Sequence, residues 1–83
     1  MPPENINDLN SLLQESYPEL SKKMKLIAFY IIDQPQNLAI NTLAVIASEI
    51  GVYPSTLVRF AKHFGFSGFA ELQDLFKVKI SQS

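Results

Sequence analysis

Between Leu43 and Phe64 two short apolar patterns stand on either side of one glycine, and nothing else in the chain constrains the fold as much. Leu43, Ile46, Ala47 and Ile50 recur at i, i+3, i+4 and i+7, the spacing that gathers four side chains on one face of a helix. Leu57, Phe60, Ala61 and Phe64 repeat those intervals and leave Ser55, Thr56, Arg59, Lys62 and His63 on the opposite side. Gly51 lies just past the first pattern, where a left-handed backbone conformation ends a helix at little steric cost. A residue as small as Ala47 lets a second helix approach closely, with Val52 and Leu57 filling the angle between the axes. The spacing therefore predicts a helix-turn-helix over residues 42 to 64. Two such helices cannot bury their own apolar stripes, so further helices must complete the core.

Those further helices are signalled by caps and breakers. Asn5 or Asn7 caps a first helix to about Ser16 that carries Ile6, Leu9, Leu12 and Leu13 inward, and Pro18 stops it. Ser21 opens a second helix through Asp33, which ends before Pro35 because the residue preceding proline is biased away from helical angles. A cap between Asn37 and Thr42 opens the third, Pro54 suits the first turn of the fourth, and Gly65 ends it. Ser67 caps a fifth helix that buries Phe69, Leu72, Leu75 and Phe76 and frays at Ser81 to Ser83. The expectation is an all-α domain over residues 1 to 80, a five-helix bundle containing a homeodomain-like helix-turn-helix. Residues 81 to 83 then form a polar tail, the start of a linker to a domain absent from this sequence.

Composition narrows the function. The chain has 83 residues, 47% of them hydrophobic, which suits one small packed domain rather than a disordered segment. It has no cysteine, so disulfides and thiolate metal sites are excluded, and the absence fits a reducing compartment. The longest apolar run, Leu26 to Ile32, has seven residues, far short of the roughly 18 a membrane span needs. With an acidic, polar N-terminal stretch unlike a signal peptide, the expected location is cytoplasmic with no membrane partner.

A formal net charge of −1 argues against nucleic acid, but the charge is unevenly spread. Residues 1 to 20 carry Glu4, Asp8, Glu15 and Glu19 and no cation, whereas residues 21 to 83 hold all seven cations against Asp33, Glu49, Glu71 and Asp74. The body is mildly basic, a weak attraction for phosphate that two copies would double.

The run from Leu20 to Leu72 resembles the N-terminal DNA-binding domain of the RpiR family of bacterial transcription regulators. The likeness rests on Leu43-Ala44 through Ala47, Gly51-Val52, Thr56-Leu57-Val58-Arg59-Phe60 and Gly65-Phe66-Ser67-Gly68-Phe69, and covers about two-thirds of the chain. It implies sequence-specific binding of double-stranded DNA. It also implies a longer regulator, in which a C-terminal sugar-isomerase-like domain, not encoded here, senses a phosphorylated sugar. Two departures from the family pattern stand out. Tyr53 occupies the cap before the recognition helix, where relatives usually have serine, at a cost of about 1 kcal/mol. Met24, Phe29 and Val45 are apolar where relatives commonly carry polar groups, and a contiguous exposed patch on a small domain marks an interface. These three are the expected contacts of a homodimer.

On the fourth expected helix, residues 54 to 64, Arg59 is suited to the O6 and N7 edge of guanine, and Thr56 to a phosphate, base edge or thymine methyl. Ser55 lies at the helix N-terminus, where free N–H groups favour phosphate. Lys62 follows Arg59 as a phosphate clamp, Tyr53 in the turn is suited to contact a phosphate or set its ring beside a base edge, or else to cover the core, and His63, the only histidine, is read as a surface residue near phosphate. Lys22, Lys23 and Lys25 crowd the start of the second helix against its dipole, a placement a DNA backbone would reward. The plainer reading of Arg59, Thr56, Lys62 and the three lysines is a solvated helix face, and that of Ser55 a second-choice cap or plain solvent. Two copies would place this helix in successive major grooves at half-sites about one helical turn apart. No cofactor, metal cluster, glycine-rich phosphate loop or nucleophile context is legible, so no enzyme is expected. The rival expectation is a helical protein-interaction or dimerisation module that never touches DNA.

Overall fold

Chemistry at the helix ends explains where each expected element starts and stops. The computed structural model of the chain describes residues 2–82, with side chains described for 2–77. Helix α1 (Ile6–Ser16) begins at Asn5, whose side chain accepts the Asp8 N–H at 2.8 Å. A single 3₁₀ turn follows at Tyr17–Glu19, where Pro18 has no N–H to extend the helical ladder. Helix α2 (Lys22–Asp33) is capped by Ser21, which accepts the Met24 N–H at 3.3 Å, and it ends at Gln34 ahead of Pro35.

The five expected helices are joined by a sixth. Pro35–Ile40, where no separate helix was expected, winds into the short helix α3. Its cause is distant in the chain. Leu38 and Ala39 are buried, and the Gln73 side chain, from the last helix, donates to the carbonyls of Leu38 and Asn41 at 3.0 and 2.8 Å. These are the acceptors that a helix end leaves unpaired.

Helix α4 (Leu43–Ile50) is capped by Thr42, which accepts the Val45 N–H at 3.2 Å. Helix α5 (Pro54–His63) closes on Gly65, at φ +95°. There the Gly65 N–H donates to the Lys62 carbonyl and the Phe66 N–H to the Ala61 carbonyl, at 3.1 and 3.0 Å. That pair of bonds defines a Schellman stop, and Phe66 is buried beneath it. Helix α6 (Phe69–Gln82) starts two residues after Ser67, the expected cap, whose hydroxyl instead donates to the Glu71 carboxylate at 3.0 Å. Helix α6 runs on through Gln82, so residues 81 and 82 of the expected polar tail are helical. Ser83 lies outside the described residues.

Every helix feeds one core. Leu9 and Leu13 from α1, Ile27 and Ile31 from α2, Leu38, Ile46, Leu57 and Phe60, and Leu72 and Phe76 from α6 are all fully buried. The fold is all-α, with no strand among the described residues, and no single described helix is long and apolar enough to cross a membrane.

Candidate nucleic-acid interface

Gly51 sets the geometry of α4 and α5. Its φ is +90°, and the N–H groups of Gly51 and Val52 both donate to the Ala47 carbonyl, at 2.9 and 3.0 Å. No atom lies within 4 Å of where a Cβ would sit, so the demand for glycine comes from the backbone angle alone. The chain turns by 97° between α4 and α5. Ala47, Leu57 and Ile46 are buried in the corner, with Val52 packed against them.

Helix α5 then divides by face. Leu57, Phe60 and Ala61 point inward, and the Phe60 ring lies 4.8 Å from that of Phe64, centroid to centroid. Ser55, Arg59, Lys62 and His63 are exposed, and Thr56 is half-buried, its N–H donating to the Tyr53 carbonyl at 2.9 Å. Ser55, Arg59 and Lys62 follow one another at i, i+4 and i+7 and so share the outermost stripe. His63 lies at the far end, its ring edge-on to Phe64 and beside Leu12 and Ser16 of α1.

At the near end Tyr53 makes no side-chain cap bond, as expected of a tyrosine, and it is 73% exposed. The Lys23 ammonium stands 5.9 Å from its ring centroid, within cation–π range. The start of α2 and the turn before α5 therefore form one basic, aromatic edge. The three lysines divide there. Lys23 meets Tyr53 and Lys22 is exposed nearby in sequence, while Lys25 is half-buried and 5.4 Å from the Tyr17 ring, on the 3₁₀ turn.

The three apolar positions expected at a dimer contact divide as well. Met24 is half-buried against the core, because it continues the inner stripe of Ile27, Ala28 and Ile31 at helical spacing. Phe29, 61% exposed, and Val45 face outward. Leu26 and Ile32, which sequence reasoning passed over, are exposed beside Phe29. Their signal was the three-residue spacing 26, 29, 32 inside an apolar run, hidden because the inner face of the same helix is equally apolar.

A polar tie holds α2 to α4. The Tyr30 hydroxyl donates to the Glu49 carboxylate at 2.5 Å. Burial first, then that bond and the Glu49 charge, push the phenol up to about 12, while Asn41 pulls the other way. Among the described residues no group of His, Cys, Asp and Glu is arranged to hold a metal.

Two helices at a near right angle, a glycine-forced turn and a polar outer face on the second helix define a helix-turn-helix domain. The chain belongs to the rpiR family of such domains, whose family model matches residues 7–83. It is 31% identical over 78 residues to the HTH-type transcriptional regulator HexR of Pseudomonas aeruginosa, covering 94% of this chain and 26% of that protein. It is 37% identical over 76 residues to an HTH-type transcriptional regulator of Haemophilus influenzae, covering 92% of this chain and 24% of that protein. The chain thus spans about a quarter of the length of these curated relatives.

Proposed function

We propose that this domain binds double-stranded DNA sequence-specifically as part of a transcription regulator, with α5 in the major groove. The observation that carries the reading is the outer stripe of α5, where Ser55, Arg59 and Lys62 are exposed while the opposite face is sealed in the core. Arg59 reads a guanine edge through paired N–H donors, the commonest specific contact in a major groove. Ser55, at the N-terminal turn, meets a phosphate with help from free backbone N–H groups. Thr56, half-buried at the flank, is limited to the backbone or a base edge beside it. Lys62, Lys22 and Lys23 neutralise phosphates, so affinity falls with salt. Tyr53 lies over the sugar-phosphate strand with Lys23 against its ring. His63 is at the edge of this footprint and Lys25 outside it.

Two copies are proposed to occupy half-sites about one helical turn apart. The relatives are far longer than this chain, which supports a regulator in which a second domain supplies the effector response to a phosphorylated sugar. The test is Arg59→Ala against selected operator fragments. Specific affinity should fall by about 1 to 3 kcal/mol while thermal stability is unchanged. Equal affinity for specific and random duplexes in both proteins would overturn the reading.

A further inference from the structure

We infer that the outer face of α2 is a self-pairing surface, on which a second copy of this chain docks antiparallel with the two-fold axis passing at Phe29. This deepens the two-copy arrangement proposed above and rests on it only for the number of copies. Three exposed apolar side chains make the strip: Leu26 at 46%, Phe29 at 61% and Ile32 at 44%. Positions three and four apart on a helix share a face, so Lys25, half-buried with its ammonium 5.4 Å from the Tyr17 ring centroid, and the exposed Asp33 border the same strip. The sequence of that face is charge-complementary to its own reverse. Leu26 and Ile32 lie three residues either side of Phe29, and Lys25 and Asp33 four residues either side.

Laid antiparallel over a second copy, Phe29 therefore meets Phe29, Leu26 meets Ile32, and each Lys25 comes opposite an Asp33. The same residues laid parallel put Lys25 against Lys25 and Asp33 against Asp33, which opposes association. The symmetry makes the contact isologous and closed, so it yields dimers rather than filaments. Ile40 is also exposed, at 71%, but it stands at the end of α3 without a matching partner position. The antiparallel register sets the two Lys23 residues, each beside its own Tyr53, about 18 Å apart along the helix axis.

The arrangement is tested with charge reversals on the 83-residue chain, read by sedimentation. Lys25→Asp alone and Asp33→Lys alone should each weaken self-association by on the order of tenfold, because each places like charges opposite one another. An equimolar mixture of the two should associate again, since every facing pair is then of opposite sign. The chain has no cysteine, so Phe29→Cys offers one thiol per copy and should be captured as a dimer by a short bismaleimide, whereas Ile40→Cys should not. A wild-type chain that stays monomeric up to about 1 mM, a mixture no tighter than either variant, or equal capture at positions 29 and 40 would overturn the inference. None of these readouts involves DNA. Failure of the DNA reading leaves them unaltered, and failure of the pairing shows as monomers whatever α5 binds.

Discussion

Helices α2 and α5 bury the same kind of stripe and present opposite surfaces to solvent. The inner face of α5 holds Leu57, Phe60 and Ala61, and that of α2 holds Ile27, Ala28 and Ile31. Outside, α5 shows serine, arginine and lysine, whereas α2 shows leucine, phenylalanine and isoleucine between a lysine and an aspartate. Burial therefore explains why each helix forms and says nothing about what it does; the outer residues carry that. A polar outer stripe at a helix-turn-helix suits a charged, hydrogen-bonding partner. An apolar one with matched charges at its ends suits another copy of the same surface.

The strongest way to break this comparison is to remove the support that both surfaces share. Phe60 is fully buried at the centre of the core and lies against Phe64. Phe60→Ala should cost about 3 to 5 kcal/mol, measured by chemical denaturation, and abolish DNA binding and self-pairing together. Retention of either by a folded Phe60→Ala protein would mean that this surface does not depend on the common core.

The turn separates the two surfaces more gently. Gly51 has open space around its missing Cβ and a φ of +90°, so Gly51→Ala adds backbone strain without a clash. The expected loss is about 1 to 2 kcal/mol, read as a lowered melting temperature. DNA affinity should fall with it as α5 swings relative to α4, while the α2 strip, outside the turn, keeps its pairing. A variant as stable as the parent would show that the left-handed angle is dispensable.

How much of this was legible beforehand differs between the two regions for the same physical reason. The α4–α5 corner is written locally. Thr42, Gly51 and Pro54 mark its ends, and Leu57, Phe60, Ala61 and Phe64 recur at helical spacing with polar residues between the turns, so the outward set reads directly from periodicity. In α2 the run Leu26 to Ile32 is apolar throughout, so polarity does not separate the inward Ile27, Ala28 and Ile31 from the outward Leu26, Phe29 and Ile32, and the packed core is what assigns Met24 to the inner stripe and Phe29 to the outer one. Helix α3 was illegible for another reason. It is six residues long, Gln34 gives it no side-chain cap, and its C-terminal carbonyls are satisfied by Gln73, more than thirty residues along the chain. Likewise Lys22, Lys23 and Lys25 are interchangeable in composition, and only the packing of α2 against α5 puts Lys23, rather than Lys25, beside Tyr53.

The smallest expected effect concerns the tie between these regions. Tyr30 of α2 donates to Glu49 of α4, the helix that leads into the turn, so this bond helps set how the apolar strip and the α5 stripe are oriented. Tyr30→Phe keeps the buried ring and removes the bond, and Glu49 is exposed enough to be rehydrated. The expected loss is about 0.5 to 1.5 kcal/mol at neutral pH. The pH dependence reports the burial of the phenol first and the Glu49 bond second. The phenol titrates at about 12 in the folded chain against 10.0 in the unfolded one, so folding favours its protonated form. That contribution is fully present below pH 10 and is lost as pH rises towards 12. Wild-type stability should therefore decline across that window, and the decline assigned to Tyr30 should vanish in Tyr30→Phe. Denaturation midpoints at pH 9 and pH 11 that shift equally in the two proteins would show that the fold does not hold the Tyr30 phenol in its protonated form, and that burial and the α2–α4 tie together contribute nothing through its proton.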